Sequence, residues 1–167
     1  MNADFNYGEF VHSRFKQDTL PMMYIHAVFG IVGEAIEHLY ATEGDHPKEE
    51  LGDWYFYFTE LCRLEGVMSV ELLAGDPPLD PQATLLSSSN EIMDLIKKWA
   101  IYGNGLKRDQ LRFHMMQAMN QFVHYIHNYK LTLHEVIEYN VAKLTKRYPQ
   151  GKFTSADAEA RADKVAD

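Results

Sequence analysis

Two neighbouring stretches, FGIVGEAIEHL (residues 29–39) and KEELGDWYFYF (48–58), decide how this chain reads. In both, acids stand three residues apart: Glu34 with Glu37, and Glu50 with Asp53. Three residues turn an α-helix by about 300°, so each pair leaves one helix face. Leu51, Trp54, Phe58 and Leu61 return every three or four positions beside the second pair, a stripe that predicts a helix buried along one side. Small residues, Ala27, Gly30 and Ala41, share the stripe of Glu34 and Glu37 and predict open space for ions and ligand beside the acids. The adjoining Phe29, Val32 and Ile36 predict that this pair borders a core-facing surface.

Outward from this pair, the helical pattern continues. A first helix is expected near residues 4–16, and a second from Thr19, whose hydroxyl is placed to cap it, through Pro21 to about Ala41. Gly44 to Pro47 interrupt the pattern, and Pro47 suits the start of the next helix, which runs toward Glu65. The short link favours an antiparallel hairpin in which the four acids converge. The proline-rich segment 74–90 reads as a loop or irregular crossover, followed by a helix over 91–102 closed by Gly103 and Gly105. Leu111, Met115, Ala118, Phe122, Tyr125 and Tyr129 give the cleanest helical period, and Thr132 with Glu135 has the spacing of a capping box opening a last long helix that ends near Arg147. The Ala-, Asp- and Glu-rich tail, 154–167, reads as a surface helix or frayed end after a domain covering 1–153. With no sustained strand alternation, the expected class is an all-α antiparallel helical bundle.

With 167 residues the chain suits one globular domain, and Cys62, its single cysteine, excludes a disulfide framework. A formal charge of −8 and the lack of a long basic run argue against a nucleic-acid polymer as partner. The apolar runs all fall short of the roughly 20 residues that span a bilayer, so the expectation is a cytoplasmic protein without a membrane partner.

Four converging carboxylates raise one another's pKa values unless a cation compensates them. Magnesium, which takes carboxylate and water oxygens and joins protein to phosphates, is the expected cofactor, with Glu34, Glu37, Glu50 and Asp53 as ligands. A solvated acidic helix face is the plainer alternative. On the last helix Asn140, Lys143 and Arg147 form a stripe able to hold a polyphosphate, although basic residues near a helix end also favour its dipole. Lys48 is a further phosphate candidate, and Lys97, Lys98, Lys107 and Arg108 are weaker ones. Trp54, Tyr57 and Tyr102 offer rings for a base. His114, His124 and His127 with Glu135 and Glu138 are an alternative zinc or iron set.

The two opening stretches, with NVAKLTKRYPQGKF (140–153), resemble the MazG-like all-α nucleoside triphosphate pyrophosphohydrolases. Their pattern of Glu-x-x-Glu, a spacer and Glu-x-x-Asp falls on Glu34, Glu37, Glu50 and Asp53, and their Asn-x-x-Lys-Leu-x-x-Arg-Tyr-Pro ending falls on the segment from Asn140. Ile36 stands where many relatives have glycine. The resemblance, covering roughly 7–153, implies a bundle completed as a homodimer or homotetramer. It implies magnesium-dependent cleavage of an NTP or dNTP to monophosphate and pyrophosphate. In that scheme Glu49, Glu37 or Glu50 activates the water, while Lys48, Asn140, Lys143 and Arg147 bind substrate. A nucleotide sensor or helical interaction protein without turnover is the competing reading.

Overall fold

The computed structural model describes residues 5–41, 47–73 and 83–164, and among these all regular structure is helical. In chain order the helices are α1 (Tyr7–Arg14), α2 (Leu20–Tyr40), α3 (Pro47–Glu65), α4 (Leu85–Ala100), α5 (Arg108–Asn128), α6 (Leu133–Arg147) and α7 (Ser155–Ala160). Short 3₁₀ turns cover Ser69–Leu73 and Ala162–Lys164. The link at 42–46 and most of the proline-rich crossover lie outside the described residues.

Local chemistry sets the helix starts. Asn6 Oδ1 accepts the Glu9 N–H at the head of α1. Thr132 and Glu135 form the expected capping box of α6. At α2 the Thr19 hydroxyl makes no cap bond; instead Asp18 Oδ1 accepts the Thr19 N–H at 2.7 Å, and Pro21 fills the first turn. The largest boundary correction is at α4, which begins at Leu85, inside the expected loop. Thr84 and Ser87 cap one another there, and Ser89 donates to the Leu85 carbonyl. A run of serines that reads as loop composition is thus spent on a cap and a helix interior.

α2 and α3 pack antiparallel. Tyr24 meets Glu65, Gly30 meets Tyr57, and Glu34 lies among Glu50 and Asp53, positions rising on one helix as they fall on the other. Leu51, Trp54, Phe58 and Leu61 are fully buried as their spacing predicts. Trp54 stacks between Phe58 (4.7 Å) and Phe122 of α5 (5.0 Å), and its indole N–H donates to Ser89 on α4. The bundle centre is therefore a layer of stacked rings with its polar edge satisfied.

α2 turns its faces differently from the sequence expectation. Tyr24, Ala27, Val28, Ile31 and Ala35 enter the core, whereas Phe29 is 61% and Ile36 41% exposed. α2 is also long and apolar enough, by length and composition, to cross a bilayer. No contiguous run signals this, because Glu34, Glu37 and His38 interrupt it; only the average over the folded helix does. The small-residue stripe leaves no empty slot at Gly30, where a Cβ would fall 2.2 Å from the Tyr57 ring. The glycine admits a tyrosine, and the ring forms part of the site's wall.

Gly33, by contrast, faces open space. Gly33→Ala should stabilise the fold by about 0.5–1 kcal/mol through helix propensity. Gly30→Ala should destabilise it, because an overpacking cost of about 1–3 kcal/mol exceeds that gain. Urea unfolding of the two variants measures the opposite signs.

Candidate functional site

The antiparallel register of α2 and α3 brings Glu34, Glu37 and Glu50 together, with one carboxylate oxygen from each lying within 4.8 Å of the others. Glu34 is partly buried, and that burial, reinforced by Asp53, Glu37 and Glu50, pushes its carboxyl up to about 9 from an ordinary 4.5. Burial also raises Glu50, with Glu37, Glu49 and Asp53 adding to it, while a hydrogen bond from Glu34 works the other way. Burial and mutual repulsion thus favour a protonated carboxyl in the metal-free cluster at neutral pH. Hard oxygens crowded in this way suit a divalent cation, and such a group of three could in principle hold one.

Asp53 stands next to this trio with its oxygens already engaged. Asn140 Nδ2 donates to Oδ1 at 2.9 Å, and the Lys143 ammonium donates to Oδ2 in a short ion pair. Burial pushes the Asp53 carboxyl up despite Lys143 and Arg147. Lys143 loses hydration, yet Asp53 and Glu49 hold its ammonium above the ordinary lysine range. The reach from α6 depends on Gly52, where an added Cβ would sit 3.2 Å from Asn140 Cβ and 3.5 Å from the Val136 carbonyl. Asn140, itself buried, is fixed because the partly buried Tyr7 donates its hydroxyl to its Oδ1 at 2.9 Å.

Glu49 faces the same side. Burial acts to raise its carboxyl, but hydrogen bonds from Lys164 and Lys143 outweigh that and hold it below its usual range. Arg147 donates through Nε and Nη2 to both oxygens of Asp163, each at 2.6 Å. Glu34, Glu37, Glu49, Glu50, Asp53, Lys143 and Arg147 border one cavity of about 340 Å³, whose wall also includes Arg14, His26, Tyr57, Arg161 and Lys164.

No protein-family model, curated protein or solved structure matches the chain. The site therefore stands on its geometry alone.

Of the residues singled out in the sequence, Glu34, Glu37, Glu49, Glu50, Asp53, Lys143 and Arg147 line this cavity, and Asn140 supports it from behind. Lys48 does not; its ammonium lies 3.9 Å from Glu135, the capping residue of α6. Lys97 and Lys98 pair with Asp94, and Arg108 with the buried Glu65. Trp54 belongs to the core and Tyr102 is 65% exposed; of the three rings only Tyr57 borders the cavity. The histidine set disperses: His124 bonds Asn128, Glu135 is held in its capping box, and Glu138 pairs with His134. Sequence reasoning missed Tyr7, Asp163 and Lys164. Tyr7 gave no signal, being 133 residues from Asn140, and the tail residues were hidden in a segment that reads as frayed.

The raised Glu34 pKa fixes a sign. Between about 4.5 and 9 the folded protein holds a proton that the unfolded chain releases, so metal-free stability falls as pH rises across that window. Glu34→Gln should lessen this slope and raise the melting temperature in EDTA at pH 8, while abolishing any gain on adding magnesium. Thermal melts at pH 5, 6.5 and 8, with and without magnesium, check both effects.

Proposed function

We propose that this chain is a magnesium-dependent nucleoside triphosphate pyrophosphohydrolase of the MazG-like kind. It would cleave an NTP or dNTP between the α and β phosphates, giving nucleoside monophosphate and pyrophosphate. The observation that supports this reading is the meeting, in one cavity, of an oxygen-donor trio with Lys143 and Arg147. These residues lie on the positions that carry the family resemblance.

Magnesium fits the donor set, since the trio offers only carboxylate oxygens and Glu34 ionises at neutral pH only when a cation compensates it. When bound, magnesium would offset the charge developing on the phosphates and polarise the attacking water. The chain's own residues do the remaining work. Arg147 presents a planar fork to phosphate oxygens, and Lys143 supplies a compact charge beside it. Asn140, steadied by Tyr7, keeps Asp53 in one orientation. Glu50, with its raised pKa, is better suited to accept the water's proton than Glu49, which two ammonium groups hold as a weak base. Glu37, on the exposed rim, is the second acceptor. No protein nucleophile takes part. Exposed Met22, Phe29 and Ile36 follow one another at seven-residue intervals along α2, which supports a homodimer or homotetramer.

Incubation with a panel of NTPs and dNTPs plus magnesium should give monophosphate and pyrophosphate in equal amounts. Asp53→Asn, which removes the counter-charge of Lys143, should lower turnover by about 100-fold or more while circular dichroism shows the helices intact. Release of diphosphate and orthophosphate, or thermal stabilisation by nucleotide without turnover, would reject the reading.

A further inference from the structure

The tail after α6 returns to the site. Gly151, at φ 73°, and the Phe153 N–H, which donates to the Ser13 carbonyl at 3.0 Å, turn the chain back over α1. Thr154 caps α7, accepting the Asp157 N–H and donating to its carboxylate. α7 ends at Arg161, a non-glycine residue in the left-handed region at φ 48°, a conformation L-residues occupy at a cost and only where their surroundings hold them there. That turn aims the next three residues at α6 and the acid cluster. There Asp163 closes on Arg147 through two parallel 2.6 Å bonds, its side chain 1% exposed, while Lys164 bonds Glu49. Phe153, Ala158, Arg161 and Lys164 form one wall of the cavity.

A carboxylate held by both Nε and Nη2 of an arginine occupies the positions that two phosphate oxygens would take. Arg147 is also the one guanidinium in the α6 stripe facing the acids. We infer that residues 154–164 form a strap that closes the site from within, with Asp163 seated where a substrate or product phosphate would bind. This rests on reading Arg147 as a phosphate seat. A phosphate group of a polyphosphate must displace Asp163, and Lys164 then leaves Glu49 with the same segment. The strap sets a threshold: only an anion bearing more charge than one carboxylate, anchored also beside the acid trio, opens it. Carboxylate metabolites and singly charged phosphoesters are kept out by competition instead of by shape.

The test uses the full chain with magnesium and pyrophosphate. Hydrogen–deuterium exchange should show residues 154–164 losing protection when magnesium pyrophosphate is added and keeping it with magnesium alone. Asp163→Asn should bind magnesium pyrophosphate more tightly, by about tenfold for a strap closed some nine-tenths of the time, with magnesium affinity unchanged. Pyrophosphate bound by wild type with strap protection unchanged or increased overturns the strap while leaving the phosphate seat standing, as does Asp163→Asn binding equally or more weakly. If neither wild type nor Asp163→Asn binds pyrophosphate, the reading of Arg147 and the strap fall together. The exchange measurement needs no variant, so it decides the matter even if Asp163→Asn fails to fold.

Discussion

Like charges held partly out of water dominate this molecule. Glu34, Glu37, Glu49, Glu50 and Asp53 all face the seam between α2 and α3, where their mutual repulsion and lost hydration would separate the helices if nothing offset them. The chain offsets them in two ways. A proton stays within the trio, which keeps it from carrying its full charge. Lys143, and behind it Arg147 and Lys164, bring positive charge from α6 and the tail. The arrangement of α6 and of the C-terminal segment follows from this requirement.

The compensation works only at short range, and two glycines create that range in different ways. At Gly52 the missing side chain lets α6 lie against α3, so that an amide and an ammonium both reach Asp53. At Gly30 it lets the Tyr57 ring lie flat on α2 and close the back of the cavity. Opposite this charged seam, the Trp54, Phe58 and Phe122 stack supplies the apolar burial that holds α3 in place against the cost of crowding acids beside it. Strain from the site is thus met by packing on the other face of the same helix.

Much of this was legible beforehand, for identifiable reasons. The spacing of Leu51, Trp54, Phe58 and Leu61 is a one-dimensional record of a buried face, and Thr132 with Glu135 is a local cap needing no distant partner. The acids were visible for the same reason, since residues three apart on a helix must share a face. The start of α4 was not legible, because serines serve equally in loops and in caps until a tryptophan is seen to take one as acceptor. Nor was the outward turn of Phe29 and Ile36, since hydrophobicity does not say which apolar side of α2 meets α3 and α4.

What the sequence determined by itself was periodicity: an all-helical chain, two acid pairs each on one face, and a basic stripe ending α6. What only the tertiary structure decided was pairing. Asp53 meets Asn140 across 87 residues, Asn140 meets Tyr7 across 133, and Lys164 meets Glu49 across 115. The physical reason is that helix periodicity is set by hydrogen bonds four residues long, whereas these contacts depend on how whole helices slide and rotate against one another. That choice is made by the packing of every buried side chain at once, and it put a carboxylate from an unpromising tail onto the arginine beside the acids.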